Sequence, residues 1–328
     1  MRAIGLLSAG IAVLTATTLR AEEFRSSDVL PPDYPTVQAV NHMSQLLRER
    51  TGGRHRIKVT AQAAGGSEDY AIQQTKIGTL DMTRANVSAF NNIVPSTLVL
   101  SLPYVFKSTA HMRHVLDGAI GDEILSGMEA DGFVGLCFYN TGARSMFTRE
   151  KPVRNVADLA GQRMRVQQSA FWIALMQAMG ARTIPMPLER IHVSLKAALI
   201  DGAEVDLPTF HAYRLHEVAK FYSLTEHAIT PGILVFSKRT WDRLPPKDQA
   251  IIRAAAKESA AFMNKLWDER EAAARKAVEA AGVTIVSDVD RKSFADAMAP
   301  VTKKFIASPK QEDLLRRIQA IDVSCSGC

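Results

Sequence analysis

A histidine followed by an acid is a first place to look for metal chemistry, and His216-Glu217 opens the pattern that zinc hydrolases carry on one helix face. The second ligand would have to stand at position 220, and that residue is Lys, an ammonium that donates and cannot coordinate. The eight histidines show no other convincing ligand spacing. Gly66-Ser67 lacks the flanks of a strained serine elbow, and no Walker or Rossmann glycine loop is present. Cys325 and Cys328 form a C-x-x-C at the extreme C-terminus. Redox pairs sit at a helix start beside a packed sheet, and zinc needs two further ligands, so a tail disulfide or an incidental pair is the better reading. Cys137, inside the apolar run Phe133–Tyr139, reads as a core residue. No catalytic group, metal site or cofactor is expected, which favours binding, although enzyme chemistry can also be carried by dispersed residues.

The elements that would position a binding site alternate between strand and helix, which is the pattern of an α/β protein. Phe24–Asp28 is expected as a first strand, Val37–Arg50 as a helix stopped by Gly52-Gly53, and Arg56–Ala61 as a second strand. Tyr70–Ile77 follows as a short helix ended by Gly78, then Leu80–Arg84 as a strand. Two corners look alike: Ile77-Gly78-Thr79-Leu80-Asp81 and Ala198-Leu199-Ile200-Asp201-Gly202 both close on an aspartate. Two lobes of similar build would explain that, and so would chance. The clearest element is Lys247–Ala281, preceded by Pro245-Pro246 and followed by Gly282, a helix on the order of 50 Å long.

The first 21 residues have the layout of a secretory leader: Arg2, an apolar stretch from Ala3 to Leu14, and a small residue at Ala21 where cleavage is expected. That stretch is too short for a membrane span. The formal charge of +6 falls to +4 when Arg2 and Arg20 leave with the leader. The remaining basic residues are scattered among acidic ones, which argues against nucleic acid as a partner and suits a weak attraction for small anions.

Several stretches together resemble the substrate-binding proteins of tripartite ATP-independent periplasmic (TRAP) transporters, of the C4-dicarboxylate-binding type. They are Asp28-Val29-Leu30-Pro31, Gly78–Met82, Leu102–Phe106, Asn140–Arg144, Leu159–Val166, Asp201–Glu204, Glu217–Phe221 and Leu244–Gln249. Their order and spacing cover nearly the whole mature chain. The resemblance implies a two-lobed periplasmic binding protein with a ligand cleft between the lobes and a long helix spanning both. Residues 22–141 with 230–269 would form lobe I, and 142–229 with 270–328 lobe II. It also implies a small organic carboxylate as ligand and integral membrane subunits as partners.

Within that resemblance Arg165 matches the arginine that holds the ligand carboxylate, a role that suits a planar, permanently charged fork. Arg144 matches a second cleft arginine; its alternative is an ion pair between strands. Gln168, three residues after Arg165, is a candidate for ligand oxygen. Asn86 stands where sialic-acid-binding relatives carry a glutamate, and Asp28 near a polar position of the first strand; both could instead cap turns. Phe171, Trp172 and Phe210 are candidates for an apolar wall, and His192 stands where relatives often have Tyr. After Gly202-Ala203-Glu204 the family commonly has Asn, whereas this chain has Val205 and Asp206. A ligand-facing Asp206 would repel a second carboxylate and accept from hydroxyls. A sugar acid or hydroxy acid is therefore expected over a plain C4 dicarboxylate. A receptor serving a sensor kinase and an exported carboxylate-processing enzyme are the alternatives.

Overall fold

The computed structural model describes residues 22–322; the leader Met1–Ala21 and the pair Cys325 and Cys328 lie outside the described residues. Two sheets organise the chain. The first contains β1 (Glu22–Ser27), β2 (His55–Thr60), β3 (Met82–Asn86) and β4 (Phe133–Tyr139). The second contains β5 (Ala143–Thr148), β6 (Arg163–Val166), β7 (Arg182–Pro185), β8 (Gly202–Val205) and β9 (Phe221–Ile229). The chain then returns to the first sheet as β10 (Gly232–Ser237) and adds β11 (Thr284–Val286) to the edge of the second. The strand orders are β2-β1-β3-β10-β4 and β11-β9-β5-β8-β6-β7. Each sheet is the centre of one lobe, and the chain crosses between them at residues 140–142 and again at 230–231.

The same βαβαβ unit is built twice. In lobe I β1 runs parallel to β2 and β3, and helices Pro35–Arg50 and Glu68–Ile77 make the crossovers that parallel strands require. In lobe II β6 runs parallel to β7 and β8, with helices Ala170–Ala178 and Ile191–Lys196 in the same places. The two similar corners are therefore equivalent parts of a repeated unit. Each turns through a left-handed residue, Gly78 at φ 81° and Ala198 at φ 54°. Each ends on an aspartate that clamps the first strand of its unit. Arg25 N donates to Asp81 Oδ2 at 2.8 Å, and Arg163 N donates to Asp201 Oδ2 at 2.8 Å. The clamp also corrects one expectation: the strand anticipated at Leu80–Arg84 starts at Met82, because Asp81 is spent on the corner.

The long helix runs from Pro246 to Ala280. Asp248 in its first turn accepts from Arg54 Nη1 and Nη2, both at 2.7 Å, and lies 3.0 Å from His55 Nε2, which ties the helix start to β2. Ile252, Ala255, Ala256, Met263 and Trp267 enter the lobe I core, and Val278 enters that of lobe II, so the helix spans both. Helix Arg291–Phe305 sends Phe294 and Met298 under Trp172 and Leu175. The last helix, Pro309–Ala320, reaches back to the segments between β3 and β4: Gln311 Nε2 donates to Pro95 O at 2.9 Å and Arg317 pairs with Glu123 at 2.7 Å. Among the described residues no helix is long and apolar enough to cross a membrane.

Candidate ligand-binding site

The carboxyl ends of β3, β6 and β8 and the start of β5 meet at one narrow cavity of about 50 Å³ between the lobes, continuous through Arg165 and Gln167 with a recess of about 30 Å³. Crevices at the carboxyl ends of parallel strands are the usual ligand sites of α/β folds. Two roomier hollows exist, of about 570 Å³ beside Arg291 and about 620 Å³ beside Arg253. In the first, Arg291 is matched by Glu226 and Lys292 by Asp296, while Glu271 has no ion-pair partner among the described residues. The second is a groove between helices floored by β4, with no buried unmatched ion among its described lining residues. The small cavity carries the chemistry, and a ligand larger than it enters only as the lobes part.

Arg165 is its decisive group. The residue is 4 % exposed, its Nε donates to Met186 O at 2.9 Å, and no carboxylate among the described residues lies within ion-pair distance of it. Burial, with repulsion from Arg144, outweighs the attraction of Glu204 and pushes the guanidinium down to about 10. A buried cation without a counter-ion is costly, and this one faces an accessible cavity.

Arg144 also lines the cavity, but its charge is spent. Nε donates to Glu204 Oε2 at 2.5 Å, and Nη2 donates to Oε1 at 2.9 Å and to Glu204 O at 2.8 Å. The inter-strand ion pair is therefore present. Glu204 is fully buried; although burial alone would raise it, Arg144 and His227 hold it down at about 2. Asp206 faces the cavity while capping helix Leu207–Ala212, accepting from Thr209 N at 2.9 Å and from Thr209 Oγ1 at 3.0 Å. Burial pushes its carboxyl up. Asn86 lines the cavity with its amide engaged: Oδ1 accepts from Ser88 N at 3.0 Å and Nδ2 donates to Thr230 O and Oγ1.

Six of the anticipated residues stand elsewhere, among them Phe171, which is buried in the core against Trp172 and Phe305. Gln168 borders only the recess, because strand alternation from Arg165 brings Gln167 to the cavity face instead. Asp28 lies behind the wall, accepting from Arg84, from Thr36 Oγ1 at 2.7 Å and from Leu30 N at 3.0 Å. Trp172 is fully buried; its Nε1 donates to Ser88 Oγ at 3.0 Å and its ring backs the Arg144 guanidinium at 5.8 Å. Phe210 packs between Phe147 and Tyr222 in the lobe II core. His192 lies 3.5 Å from Glu217 on the outside of that lobe.

The cavity holds residues the sequence reading did not select. Arg84 and Glu68 form its lobe I wall, and Tyr34, Thr36, Thr141, Gln167 and Thr209 add to its polar lining. Gln167 is nine-tenths buried and its Nε2 donates to nothing among the described residues, so an acceptor is missing beside Arg165. Two of these carried a readable signal: Arg84 shares the face of Asn86 by strand alternation, and Gln167 shares that of Arg165. Among the described residues no group of three or more His, Cys, Asp or Glu side chains could hold a metal ion.

Comparison with known proteins places this architecture. The profile described as bacterial extracellular solute-binding protein, family 7, matches residues 26–308. A TRAP periplasmic solute-binding protein from Bradyrhizobium sp. BTAi1, solved with α/β-D-galacturonate, is 51 % identical with a TM-score of 0.90, over 92 % of this chain and 100 % of that one. One from Xanthobacter autotrophicus Py2, with bound β-D-galacturonate, is 43 % identical with a TM-score of 0.90, over 91 % and 100 %. The 2,3-diketo-L-gulonate-binding periplasmic protein of Escherichia coli K12 is 31 % identical over 96 % of this chain and 97 % of its own length. With two repeated lobes, a long helix across both and a polar cleft between them, the chain belongs to the family 7 extracellular solute-binding proteins, the DctP-type receptors of TRAP transporters.

Proposed function

We propose that this protein is an exported, periplasmic receptor that captures a hexuronate, D-galacturonate first among them, and hands it to the integral membrane subunits of a TRAP transporter. Arg165 is the carboxylate anchor. The observation that carries this reading is the buried Arg165 guanidinium, which has no ion-pair partner among the described residues and is flanked by the orphan amide donor of Gln167. A carboxylate laid against the two supplies the missing charge and the missing acceptor together. The rest of the lining suits hydroxyls: the carboxylate oxygens of Asp206 and Glu68 accept, and Thr141 and Tyr34 both donate and accept. The galacturonate bound by the two relatives above favours the same ligand class here. A polar cleft between two lobes suits capture and release, with the lobes closing on the ligand.

Isothermal titration calorimetry of the mature protein against D-galacturonate, D-glucuronate, an aldonate and succinate tests the reading, with Arg165→Ala alongside. Removing one partner of a buried, hydrogen-bonded charge pair should weaken binding on the order of a hundredfold or more. Tight succinate binding without uronate binding, or uronate binding indifferent to Arg165, would overturn it.

A further inference from the structure

The two walls of the cavity hold their charges differently. On the lobe II wall Arg144 is neutralised by Glu204, while Arg165 and the helix-capping Asp206 have no ion-pair partner among the described residues. On the lobe I wall Arg84 is gripped by Asp28, donating from Nε to Oδ2 at 2.9 Å and from Nη2 to Oδ1, with both side chains buried. The same guanidinium lies 3.6 Å from Glu68 Oε1. One cation therefore stands between two carboxylates, and this wall is net negative. Glu68 is held in place, since Oε1 accepts from Asn86 N at 3.0 Å, while Oε2 has no hydrogen-bond partner among the described residues. Burial raises its carboxyl against the pull of Arg84, so a further anion beside it meets a group already short of solvation.

We infer that Glu68 is a specificity-determining residue: it receives a ligand hydroxyl and excludes a second carboxylate, so that uronates bind and the matching aldaric acids do not. The inference rests on the uronate reading above and deepens it. A uronate has one carboxylate, which Arg165 takes, and its other end is hydroxyl and hemiacetal oxygen. An aldaric acid carries a carboxylate at both ends. Once Arg165 holds one end, the other must lie against what remains. Arg84 has no unmatched charge to offer it, and Glu68 and Asp206 repel it. Juxtaposed like charges of this kind suppress a wrong partner by on the order of a hundredfold or more.

The test is calorimetric titration of the mature wild type and of Glu68→Gln with D-galacturonate and with galactarate, each protein first checked for a cooperative melt. Wild type should bind galactarate about a hundredfold more weakly than galacturonate. Glu68→Gln keeps the size of the side chain and removes its charge. It should narrow that gap about tenfold, chiefly by gaining on galactarate, at a few-fold cost in galacturonate affinity. The inference is overturned if wild type binds both acids within about threefold, a comparison that needs no variant. It is also overturned if a folded Glu68→Gln leaves the ratio unchanged, which would assign the discrimination to shape alone. Binding of neither acid by wild type would sink the uronate reading with it, whereas galacturonate binding with an unmoved ratio would sink only the role of Glu68.

Discussion

Arg144 and Glu204 face each other from neighbouring strands of lobe II, joined by charged hydrogen bonds at 2.5 and 2.9 Å with the carboxylate wholly out of solvent. Their mutual satisfaction separates the two lobe II arginines of the cleft: Arg144 is spent within the sheet, whereas Arg165 has no ion-pair partner among the described residues.

Glu204→Gln keeps the shape of the side chain and removes the counter-charge, leaving Arg144 buried and unmatched near Arg165. Breaking one side of a buried ion pair typically costs about 3–5 kcal/mol. Urea denaturation of wild type and variant should show a loss in that range.

The same pair sets an acid-side signature. In the folded state Glu204 sits at about 2, below its ordinary value of 4.5, held there by Arg144 and His227 against its burial. A depressed carboxyl contributes stability that is present above the unfolded value and is lost as pH falls through the folded one. The stability difference between wild type and Glu204→Gln should therefore be widest above pH 4.5 and close as the pH approaches 2. Glu68 and Asp206, raised by burial, push the wild-type curve the other way, which is why the difference between the two proteins is the quantity to measure. A gap that stays constant from pH 6 to pH 2 would contradict this assignment.

The repeated corner makes a prediction of a different kind. Gly78 and Ala198 occupy equivalent left-handed positions, and only one of them is glycine. A β-carbon in that region costs roughly 1–2 kcal/mol, and the extra freedom glycine gives the unfolded chain returns roughly 0.5–1 kcal/mol of that. Ala198→Gly should consequently stabilise lobe II by about 0.5–1 kcal/mol, read as a small rise in melting temperature. Gly78→Ala should do the reverse.

Much of the architecture could be read from local chemistry. Gly52-Gly53, Gly78 and Gly282 mark helix ends, Pro245-Pro246 marks a helix start, and the paired aspartate corners do belong to a repeated unit. The cleft was less open to reading, for a physical reason. Arg84, Arg144 and Glu204 are charged residues in strands and Asp28 directly follows one, positions that alone suggest solvent, and their burial depends on partners 56 and 60 positions away in the chain. Phe210 and Trp172 illustrate the converse: an aromatic beside a cleft motif serves the core whenever the facing sheet presents aromatics or a guanidinium to pack against. Arg165 could be picked out by its motif, while its lack of an ion-pair partner among the described residues is visible only in three dimensions.

The insertion of β10 between β3 and β4 has a consequence for the order in which the molecule assembles. During synthesis or emergence from an export channel, β1 to β4 leave first, yet β3 and β4 have no direct pairing and wait for a strand that follows the whole of β5 to β9. Five of the six strands of lobe II are contiguous and can pair at once. Lobe I stays split until residue 237 arrives, and the brace from Pro246 to Ala280 can dock only after that. Lobe II should therefore be the first cooperative unit, and the ligand cleft the last feature to form, so that a nascent or translocating chain cannot close on the acids around it.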